Sequence, residues 1–276
     1  MPHKPKLGQN FLIDEDAVRK IAAALGDLSG RTVVEIGPGR GAITQALIAS
    51  AHSVLAIEID RALAANLRHQ FACNRLTVIE QDVLQFDFST AAAAAGRPLR
   101  VAGNLPYYIT SPILLKLAAC HAALDLAVLM VQREVALRVA AAPGSRDYGL
   151  LSATVQMYGS VETLFTLPPT AFSPPPKVHS TVFRWRFAPR FAELAVHEEH
   201  FLRFLRLAFA QKRKTLANNL RAAIPPAAAT AALAATRIDA QARAETLPLE
   251  ALAALFRALE DLSPNGGQAR AIPDKR

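Results

Sequence analysis

The chain has 276 residues, of which 51% are hydrophobic and 20% are charged. This balance excludes a disordered chain and allows a sizeable buried core, while the length is typical of two domains. The formal net charge is +8, an excess that small acidic metabolites do not require and that favours contact with nucleic acid.

Membrane and metal sites are not expected from the sequence. No run approaches the roughly 20 apolar residues of a membrane span, and the first residues lack the apolar stretch of a secretory signal. The two cysteines, Cys73 and Cys120, form no CxxC pair and no ligand cluster. We therefore expect a reducing compartment, which predicts a cytoplasmic protein, and assign no metal.

The first half of the chain alternates β-rich runs with amphipathic helical patterns. The predicted strands cover residues 32–36, 53–59, 76–80, 99–102 and 126–131. The first predicted helix is capped by Asp14, and its apolar face ends at Leu25. Further helices are predicted at residues 41–51, 61–71 and about 111–120. Strands that alternate with helices form right-handed crossovers. The pattern therefore predicts a doubly wound α/β domain with a mostly parallel sheet.

The pattern changes after Gly149. Two further strands are predicted at 161–167 and 181–187, and the alternation in the second is typical of a half-exposed antiparallel edge. The later helices are predicted at 200–210, 211–224 and 248–262, and alanine clusters at 91–95 and 227–235 read as compositional bias. We expect a catalytic domain at 1–189, a small all-α domain at 190–262 and a disordered tail at 263–276.

A glycine-rich loop, Gly37-Pro38-Gly39-Arg40-Gly41, follows the first strand of the sheet. Glycines at this point let the backbone bend sharply and let a ligand approach the main chain. Glu58 ends the next strand, where a carboxylate can accept hydrogen bonds from both ribose hydroxyls of an adenosine ligand. Gly37, Gly39 and Ala42 also fit a dinucleotide pattern, so a nicotinamide or flavin enzyme stays open at this point.

Two acidic residues favour S-adenosylmethionine over a dinucleotide. Glu35 lies two residues before Gly37 at the strand end. A carboxylate there suits the cationic amino-acid end of S-adenosylmethionine and would repel a pyrophosphate. Asp82 follows the third strand and can accept a hydrogen bond from the adenine amino group. The ordinary alternative for Asp82 is a turn or helix cap.

The tetrad Asn104-Leu105-Pro106-Tyr107 directly follows the fourth strand and is the most specific local signal. An exocyclic amine of a base is a poor nucleophile, because its lone pair is delocalised into the ring. The Asn104 amide oxygen and the Leu105 carbonyl can accept its N–H groups, since Pro106 keeps the preceding residue extended. Tyr107 can stack on the base. The tetrad thus predicts methylation of a base amine, and its ordinary alternative is a proline turn with a buried tyrosine.

Several motifs together resemble the bacterial small-subunit ribosomal RNA adenine N6,N6-dimethyltransferases. They are GQNFL at 8–12, the glycine loop, the tetrad, FSPPPKV at 172–178, QKRKTLANNL at 211–220 and RAE at 243–245. The resemblance covers about residues 3 to 260. It implies a class I S-adenosylmethionine-dependent methyltransferase fold, which is Rossmann-like, followed by a helical domain that binds ribosomal RNA.

The residues and the resemblance together predict the site. The expected cofactor contacts are Asn10, Leu12, Glu35, Gly37, Gly39, Glu58, Asp82 and Asn104. The tetrad and Phe172 are expected to be catalytic, with Tyr107 and Phe172 enclosing the target adenine. The resemblance implies transfer of two methyl groups to each of two adjacent adenosines near the 3′ end of 16S rRNA, within a pre-30S subunit. We expect a monomer.

A basic segment lies in the predicted helical domain. No acidic residue occurs between Glu199 and Asp239, whereas basic residues recur. Lysine and arginine contacts with phosphates supply salt-dependent, sequence-tolerant binding. The predicted RNA-binding residues are Lys212, Arg213, Lys214 and Arg221. The alternative is a solvated helix face.

Three other functions remain open at this point. A relative that methylates an adenine of large-subunit rRNA, and so confers macrolide resistance, would have a similar catalytic domain. A non-enzymatic RNA-binding or assembly factor could retain the fold, although it would not need Glu58, Asp82 and the tetrad together. A nicotinamide oxidoreductase fits the glycine loop but not the tetrad.

Overall fold

The computed structural model describes residues 10–262. Within this range the strands are β1 (Phe11–Leu12), β2 (Thr32–Ile36), β3 (Ser53–Glu58), β4 (Leu76–Glu80), β5 (Leu99–Asn104), β6 (Leu124–Gln132), β7 (Gly159–Leu167), β8 (Phe172–Ser173) and β9 (Ser180–Phe187). The helices are α1 (Glu15–Ala24), α2 (Ala42–Ser50), α3 (Arg61–Gln70), α4 (Phe88–Ala95), α5 (Thr110–Ala119), α6 (Arg133–Val139), α7 (Leu150–Met157), α8 (Glu198–Ala208), α9 (Leu216–Leu220), α10 (Pro226–Ala235) and α11 (Leu249–Asp261). The predicted tail at 263–276 lies outside the described residues.

The chain forms two compact units. Of the described residues, the first unit contains 10–136 and 160–188, and the second contains 137–159 and 189–262. The predicted boundary at residue 189 therefore lies next to the observed division. The structure differs in assigning 137–159 to the second unit, a segment that the sequence placed in the catalytic domain.

The first unit contains a seven-stranded sheet in the order β4-β3-β2-β5-β6-β9-β7. Pairing from β4 to β6 is parallel, whereas β9 runs antiparallel to β6. The parallel order reverses direction at β2, because β3 and β4 lie on one side of it and β5 and β6 on the other. This confirms the predicted doubly wound α/β fold, which places the carboxyl ends of β2 to β5 along one edge.

The expectation that residues 181–187 form an edge strand is wrong. Strand β9 lies between β6 and β7, so β7 is at the edge of the sheet. The side chains of Val182, Phe183 and Trp185 are all 0% exposed. Thr181 is also buried, and its hydroxyl lies 2.9 Å from that of Thr166 in β7, whereas Arg186 remains exposed.

Local signals position the first helix as predicted. The Asp14 carboxylate accepts a hydrogen bond from the Ala17 backbone N–H at 3.0 Å and caps α1. Such a cap stabilises a helix by about 1 kcal/mol. Ala17, Ile21 and Leu25 are buried on one face of the helix and its C-cap. The helix therefore packs its predicted apolar face into the core.

Other helices differ from their predicted lengths. The alanine clusters interpreted as compositional bias lie in α4 and α10, as the high helix propensity of alanine allows. The helix predicted at 211–224 is shorter, since α9 spans only Leu216–Leu220. The Thr215 side chain caps α9 by accepting a hydrogen bond from the Asn218 N–H at 3.3 Å. The helix therefore begins several residues later than predicted. None of the described helices is long and apolar enough to cross a membrane.

The second unit is held together by contacts between its two segments. The Tyr158 hydroxyl donates to Glu198 at 2.7 Å, and the Gly144 N–H donates to the Glu245 carbonyl at 2.7 Å. The ring of Tyr148, fully buried, lies edge-on to Phe209 at 6.0 Å between centroids. These contacts explain why residues 137–159 pack with the helices that follow Pro189.

Candidate active site

A cavity of about 270 Å³ lies at the carboxyl ends of strands β2, β3 and β5. Loops that follow these strands and the segment around β1 form its walls. The predicted site residues that line it are Asn10, Leu12, Glu35, Gly37, Gly39, Glu58, Asp82, Asn104, Leu105, Pro106 and Tyr107. The topology thus brings together residues that are separated by nearly one hundred positions in the sequence.

The glycine loop is shaped by positive backbone angles. Gly37 and Gly39 have φ values of +63° and +59°, which L side chains rarely adopt. A Cβ atom at Gly39 would also lie 3.0 Å from the Phe11 ring. The Gly37 N–H donates to the Ile57 carbonyl at 3.0 Å, which joins the loop to β3. These constraints keep the loop backbone against the cavity.

Glu58 is buried at the end of β3 and both of its carboxylate oxygens accept backbone hydrogen bonds. One oxygen accepts from the Gly39 N–H at 3.1 Å, and the other accepts from the Asp60 N–H at 2.9 Å. Burial raises the pKa of Glu58 above its usual range, and these bonds oppose the shift. Each oxygen retains a second lone-pair position. The carboxylate can therefore still accept the two hydroxyls of a ribose.

Glu35 is only 1% exposed at the end of β2, although it also lines the cavity. The Thr44 hydroxyl donates to its carboxylate at 2.6 Å. Burial, with a smaller contribution from the negative charge of Glu58, raises the pKa of Glu35 to about 7. A buried carboxyl group with a raised pKa can ionise and form an ion pair when a cation binds next to it. This fits the cationic amino-acid end of S-adenosylmethionine.

Asp82 both caps a helical turn and lines the cavity, the two roles that the sequence left as alternatives. Its carboxylate accepts the Leu84 N–H at 2.9 Å and caps the helical turn Val83–Gln85. It also lines the cavity after β4. A carboxylate can accept several hydrogen bonds at once, so the cap does not prevent a contact with an adenine amino group.

Asn104 is oriented by the chain segment that precedes β1. Its side-chain nitrogen donates to the Asn10 carbonyl at 2.9 Å. Only the NH₂ end of the amide can donate to a carbonyl, so the bond also fixes the orientation of the amide oxygen. The next residue is anchored too, because the Leu105 N–H donates to the Met130 carbonyl at 2.9 Å. The tetrad therefore begins on a rigid support.

Tyr107 is half-buried at the cavity, and its hydroxyl lies 2.8 Å from the Ser180 hydroxyl. Burial raises the pKa of Tyr107 above its usual range, so the phenol remains neutral at ordinary pH. The Thr110 hydroxyl donates to the Pro106 carbonyl at 3.1 Å and ties the turn to α5. Tyr107 is held as an aromatic surface and not as a base.

Phe172 is the predicted catalytic residue that does not line the cavity. It lies in β8, paired with Leu12 of β1, and is 2% exposed within the core. Its ring packs with apolar neighbours, so the structure does not show a surface formed jointly by Phe172 and Tyr107. The predicted stacking role of Phe172 stays a prediction that would require the β8 segment to move.

The cavity also contains residues that the sequence analysis did not select. Ile59 and Tyr108 line it directly after Glu58 and Tyr107. Arg40 lines it as well, with its guanidinium 4.3 Å from the centroid of the Phe11 ring, a cation–π contact. Ile59, Tyr108 and Arg40 each directly follow a predicted site residue, and this adjacency was the signal that could have identified them. No group of three or more potential metal ligands occurs among residues 10–262.

The predicted RNA-binding residues of the second unit are all exposed. They are Lys212, Arg213, Lys214 and Arg221. Lys212 is also tied to its own unit, because its ammonium donates to the Arg146 carbonyl at 2.8 Å. This contact brings the exposed Arg146 next to Lys212, a neighbour that the sequence did not reveal. Arg213, Lys214 and Arg221 are exposed as well, and their role in RNA binding stays a prediction.

Comparisons with known proteins identify the family of the chain. The family model for ribosomal RNA adenine dimethylase matches residues 2–261. Ribosomal RNA small subunit methyltransferase A of Acidobacterium capsulatum is 60% identical over 263 residues, which cover 95% of this chain and 93% of the relative. The protein of the same name from Koribacter versatilis is 52% identical over 268 residues, which cover 93% of this chain and 94% of the relative.

Two solved structures share the fold. A dimethyladenosine transferase from Plasmodium falciparum superposes with a TM-score of 0.77 at 24% identity and covers 89% of this chain and 95% of its own. The 23S rRNA methyltransferase ErmE superposes with a TM-score of 0.70 at 25% identity, and the superposition covers 91% of this chain and 99% of ErmE. The fold is that of the class I S-adenosylmethionine-dependent methyltransferases, and the chain belongs to the ribosomal RNA adenine dimethylase family.

Proposed function

We propose that this protein methylates the N6 amines of two adjacent adenosines near the 3′ end of 16S rRNA, with S-adenosylmethionine as the methyl donor. The observation that carries the proposal is the oriented Asn104 amide, in the same cavity as Glu35 and Glu58. The substrate is a pre-30S subunit in the cytoplasm, and the enzyme acts as a monomer. The names of the two bacterial relatives support the small-subunit substrate.

The tetrad supplies what an amine nucleophile needs. When bound, S-adenosylmethionine supplies an electrophilic methyl group on a sulfonium and leaves as a neutral thioether. In the first transfer to each adenosine, the Asn104 amide oxygen and the Leu105 carbonyl accept the two N–H groups of the target amine, which localises the nitrogen lone pair; in the second transfer one N–H remains to be accepted. Tyr107 holds the ring flat by stacking. The amine loses its proton after transfer, so the neutral Tyr107 phenol is not required as a base.

The target adenine has to leave its stack to enter the cavity. A base within folded RNA cannot reach Tyr107 while it is paired or stacked, and extrusion costs a few kcal/mol. Phosphate contacts by Arg213 and Lys214 offset part of this cost through counterion release. The proposed enzyme therefore separates two tasks, with RNA affinity mainly in the second unit and chemistry in the first.

The large-subunit rRNA alternative rests on the ErmE superposition. ErmE shares the fold at a TM-score of 0.70, but its identity to this chain is 25%, against 60% for the small-subunit methyltransferase of Acidobacterium capsulatum. The motif at 211–220 and the RAE sequence at 243–245 also favour the small-subunit substrate. A purely binding factor is disfavoured, because such a protein does not need an oriented Asn104 beside two buried carboxylates.

Mapping of the modified nucleotides tests the proposal directly. The full chain is incubated with labelled S-adenosylmethionine and undermethylated small subunits, and with large subunits in parallel. We expect label at two adjacent adenosines of 16S rRNA, with two methyl groups on each. Label confined to 23S rRNA would favour the ErmE-like function, and the absence of label would favour a binding factor.

The first prediction concerns Glu58. Replacement of Glu58 by Ala removes hydrogen bonds to the cofactor ribose that are worth about 1.5–3 kcal/mol. We expect S-adenosylmethionine to bind about tenfold to a hundredfold more weakly in calorimetry. The matched control is Glu80→Ala, since Glu80 is the register partner of Glu58 on β4 but is exposed and outside the cavity. Equal affinities for the two variants would refute the ribose contact.

The second prediction concerns Asn104. Asn104→Ala removes both the acceptor for the target amine and the bond to the Asn10 carbonyl. We expect single-turnover methyl transfer at saturating cofactor and subunits to fall by about a hundredfold or more, as for loss of other preorganised groups. Subunit binding should persist. Asn66→Ala, at an exposed position of α3, is the control. Near-normal rates in Asn104→Ala would mean that other groups position the amine.

The third prediction concerns the pH dependence of cofactor binding. Because burial raises the pKa of Glu35 to about 7 in the free protein, most Glu35 side chains are protonated at pH ~6. Pairing with the cofactor ammonium requires the carboxylate and lowers its pKa. Binding should therefore release a proton at pH ~6 and should tighten as the pH rises toward ~7, by up to about tenfold per unit.

Calorimetry in buffers with different ionisation enthalpies measures the proton release. Glu35→Gln should abolish both the release and the rise in affinity with pH, whereas Glu80→Gln should behave as the wild type. Identical proton release in the wild type and Glu35→Gln would show that Glu35 does not pair with the cofactor.

The fourth prediction concerns the basic residues of the second unit. Replacing Arg213 and Lys214 by Gln leaves the Lys212 bond to the Arg146 carbonyl intact. If both contact duplex phosphates, the slope of log affinity for subunits against log salt should flatten by about 2, or roughly 0.9 per contact. S-adenosylmethionine affinity should not change.

The matched control removes two positive charges from the first unit. Arg19 and Lys20 are exposed on α1 and pair with Asp16. Their replacement by Gln should leave the salt slope close to that of the wild type. If the Arg213 and Lys214 variant keeps the wild-type slope, these residues are solvated surface charges and RNA binding lies elsewhere.

A further inference from the structure

Two large apolar side chains line the cavity yet remain mostly exposed. Ile59 is 53% exposed and Tyr108 is 60% exposed. Ile59 directly follows Glu58, on the side where the cofactor ribose is expected. Tyr108 directly follows Tyr107 of the tetrad, on the side where the target base is expected. Tyr108 thus presents an aromatic ring to solvent at the mouth of the proposed catalytic site.

Hydrogen bonds anchor the backbone turn that carries Tyr108. Tyr108 lies in the helical turn Tyr107–Ile109, and the Ile109 N–H donates to the Pro106 carbonyl at 3.2 Å. The Thr110 hydroxyl donates to the same carbonyl at 3.1 Å. The hydroxyl of Tyr107 is held against that of Ser180. The anchored turn keeps this ring at the mouth of the cavity, and a tyrosine side chain has only two torsions to fix when a flat partner binds, so it is well suited to recognition.

We propose that Tyr108 is the stacking platform for the nucleobase adjacent to the target adenine in the same RNA strand. This inference rests on the proposed function. A base that leaves its stack deprives its neighbour of a stacking partner, and an exposed aromatic ring can replace that partner. The Cα atoms of Tyr107 and Tyr108 are only about 3.8 Å apart, as consecutive residues always are. Both residues also line the same cavity, so a base held at Tyr108 lies next to the position proposed for the target base.

This arrangement gives a physical reason for two neighbouring targets. While one adenosine occupies the cavity beside Tyr107, its neighbour is held at Tyr108. After the first adenosine is methylated, a shift of the strand by one nucleotide brings its neighbour from Tyr108 into the cavity and moves the methylated base out on the opposite side. Stacking tolerates methylated and unmethylated adenines alike, because both have an aromatic face. Tyr108 is thus a positioning residue for RNA and does not take part in methyl transfer.

The test compares Tyr108→Ala with Tyr108→Phe, which keeps the ring. Leu115→Ala is the matched control, because Leu115 is an exposed apolar residue of α5, 48% exposed and outside the cavity. The full chain and undermethylated small subunits are used. In Tyr108→Ala we expect KM for subunits to rise about fivefold or more, which corresponds to loss of one stacking contact. Subunits with only one modified adenosine should accumulate.

The other measurements separate this proposal from a structural role. S-adenosylmethionine affinity and thermal unfolding should be unchanged in both Tyr108 variants, and Tyr108→Phe should retain the wild-type KM. The proposal is overturned if Tyr108→Ala matches Leu115→Ala in KM, if Tyr108→Phe is as impaired as Tyr108→Ala, or if cofactor affinity falls. If the wild-type protein does not modify 16S rRNA, the proposed function itself fails.

Discussion

The hydrogen bond from the Asn104 side chain to the Asn10 carbonyl is the interaction on which the site depends. It joins the carboxyl end of β5 to the segment that precedes β1, and it orients an amide at the edge of the cavity. The same segment is fixed by the pairing of β1 with β8 and by the contact of Arg40 with the Phe11 ring. The cavity wall and the Asn104–Tyr107 tetrad are therefore positioned by one set of contacts.

The buried carboxylates show how the site trades stability for binding. Glu35 and Glu58 are 1% and 3% exposed, and burial raises the pKa of each. A core without a ligand would favour apolar residues at such positions, since a buried ionisable group costs free energy unless it is well paired. Backbone and hydroxyl donors satisfy these carboxylates only in part. The remaining acceptor capacity is available to the cofactor.

The second unit depends on contacts that connect distant parts of the sequence. The Gln156 side chain donates to the carbonyls of Val139 and Ala141 and stabilises the loop between α6 and α7. Arg190 pairs with both Glu193 and Glu250, which ties the start of this unit's second segment to α11. These exposed ion pairs contribute little individually. The buried rings of Phe201, Phe204 and Phe256 pack against one another with centroids 5.5 to 5.9 Å apart, and such aromatic pairs contribute more.

The sequence alone determined the doubly wound sheet and most of the site, because alternating apolar runs specify strands and parallel strands bring their carboxyl ends together. Glu35, Glu58, Asp82 and the tetrad could be selected for this reason. Only the tertiary structure decided that β9 is an interior strand and that residues 137–159 belong with the later helices. It also decided that Phe172 is buried away from the cavity. Local patterns specify which side chains avoid water, but non-local packing decides which neighbour covers them.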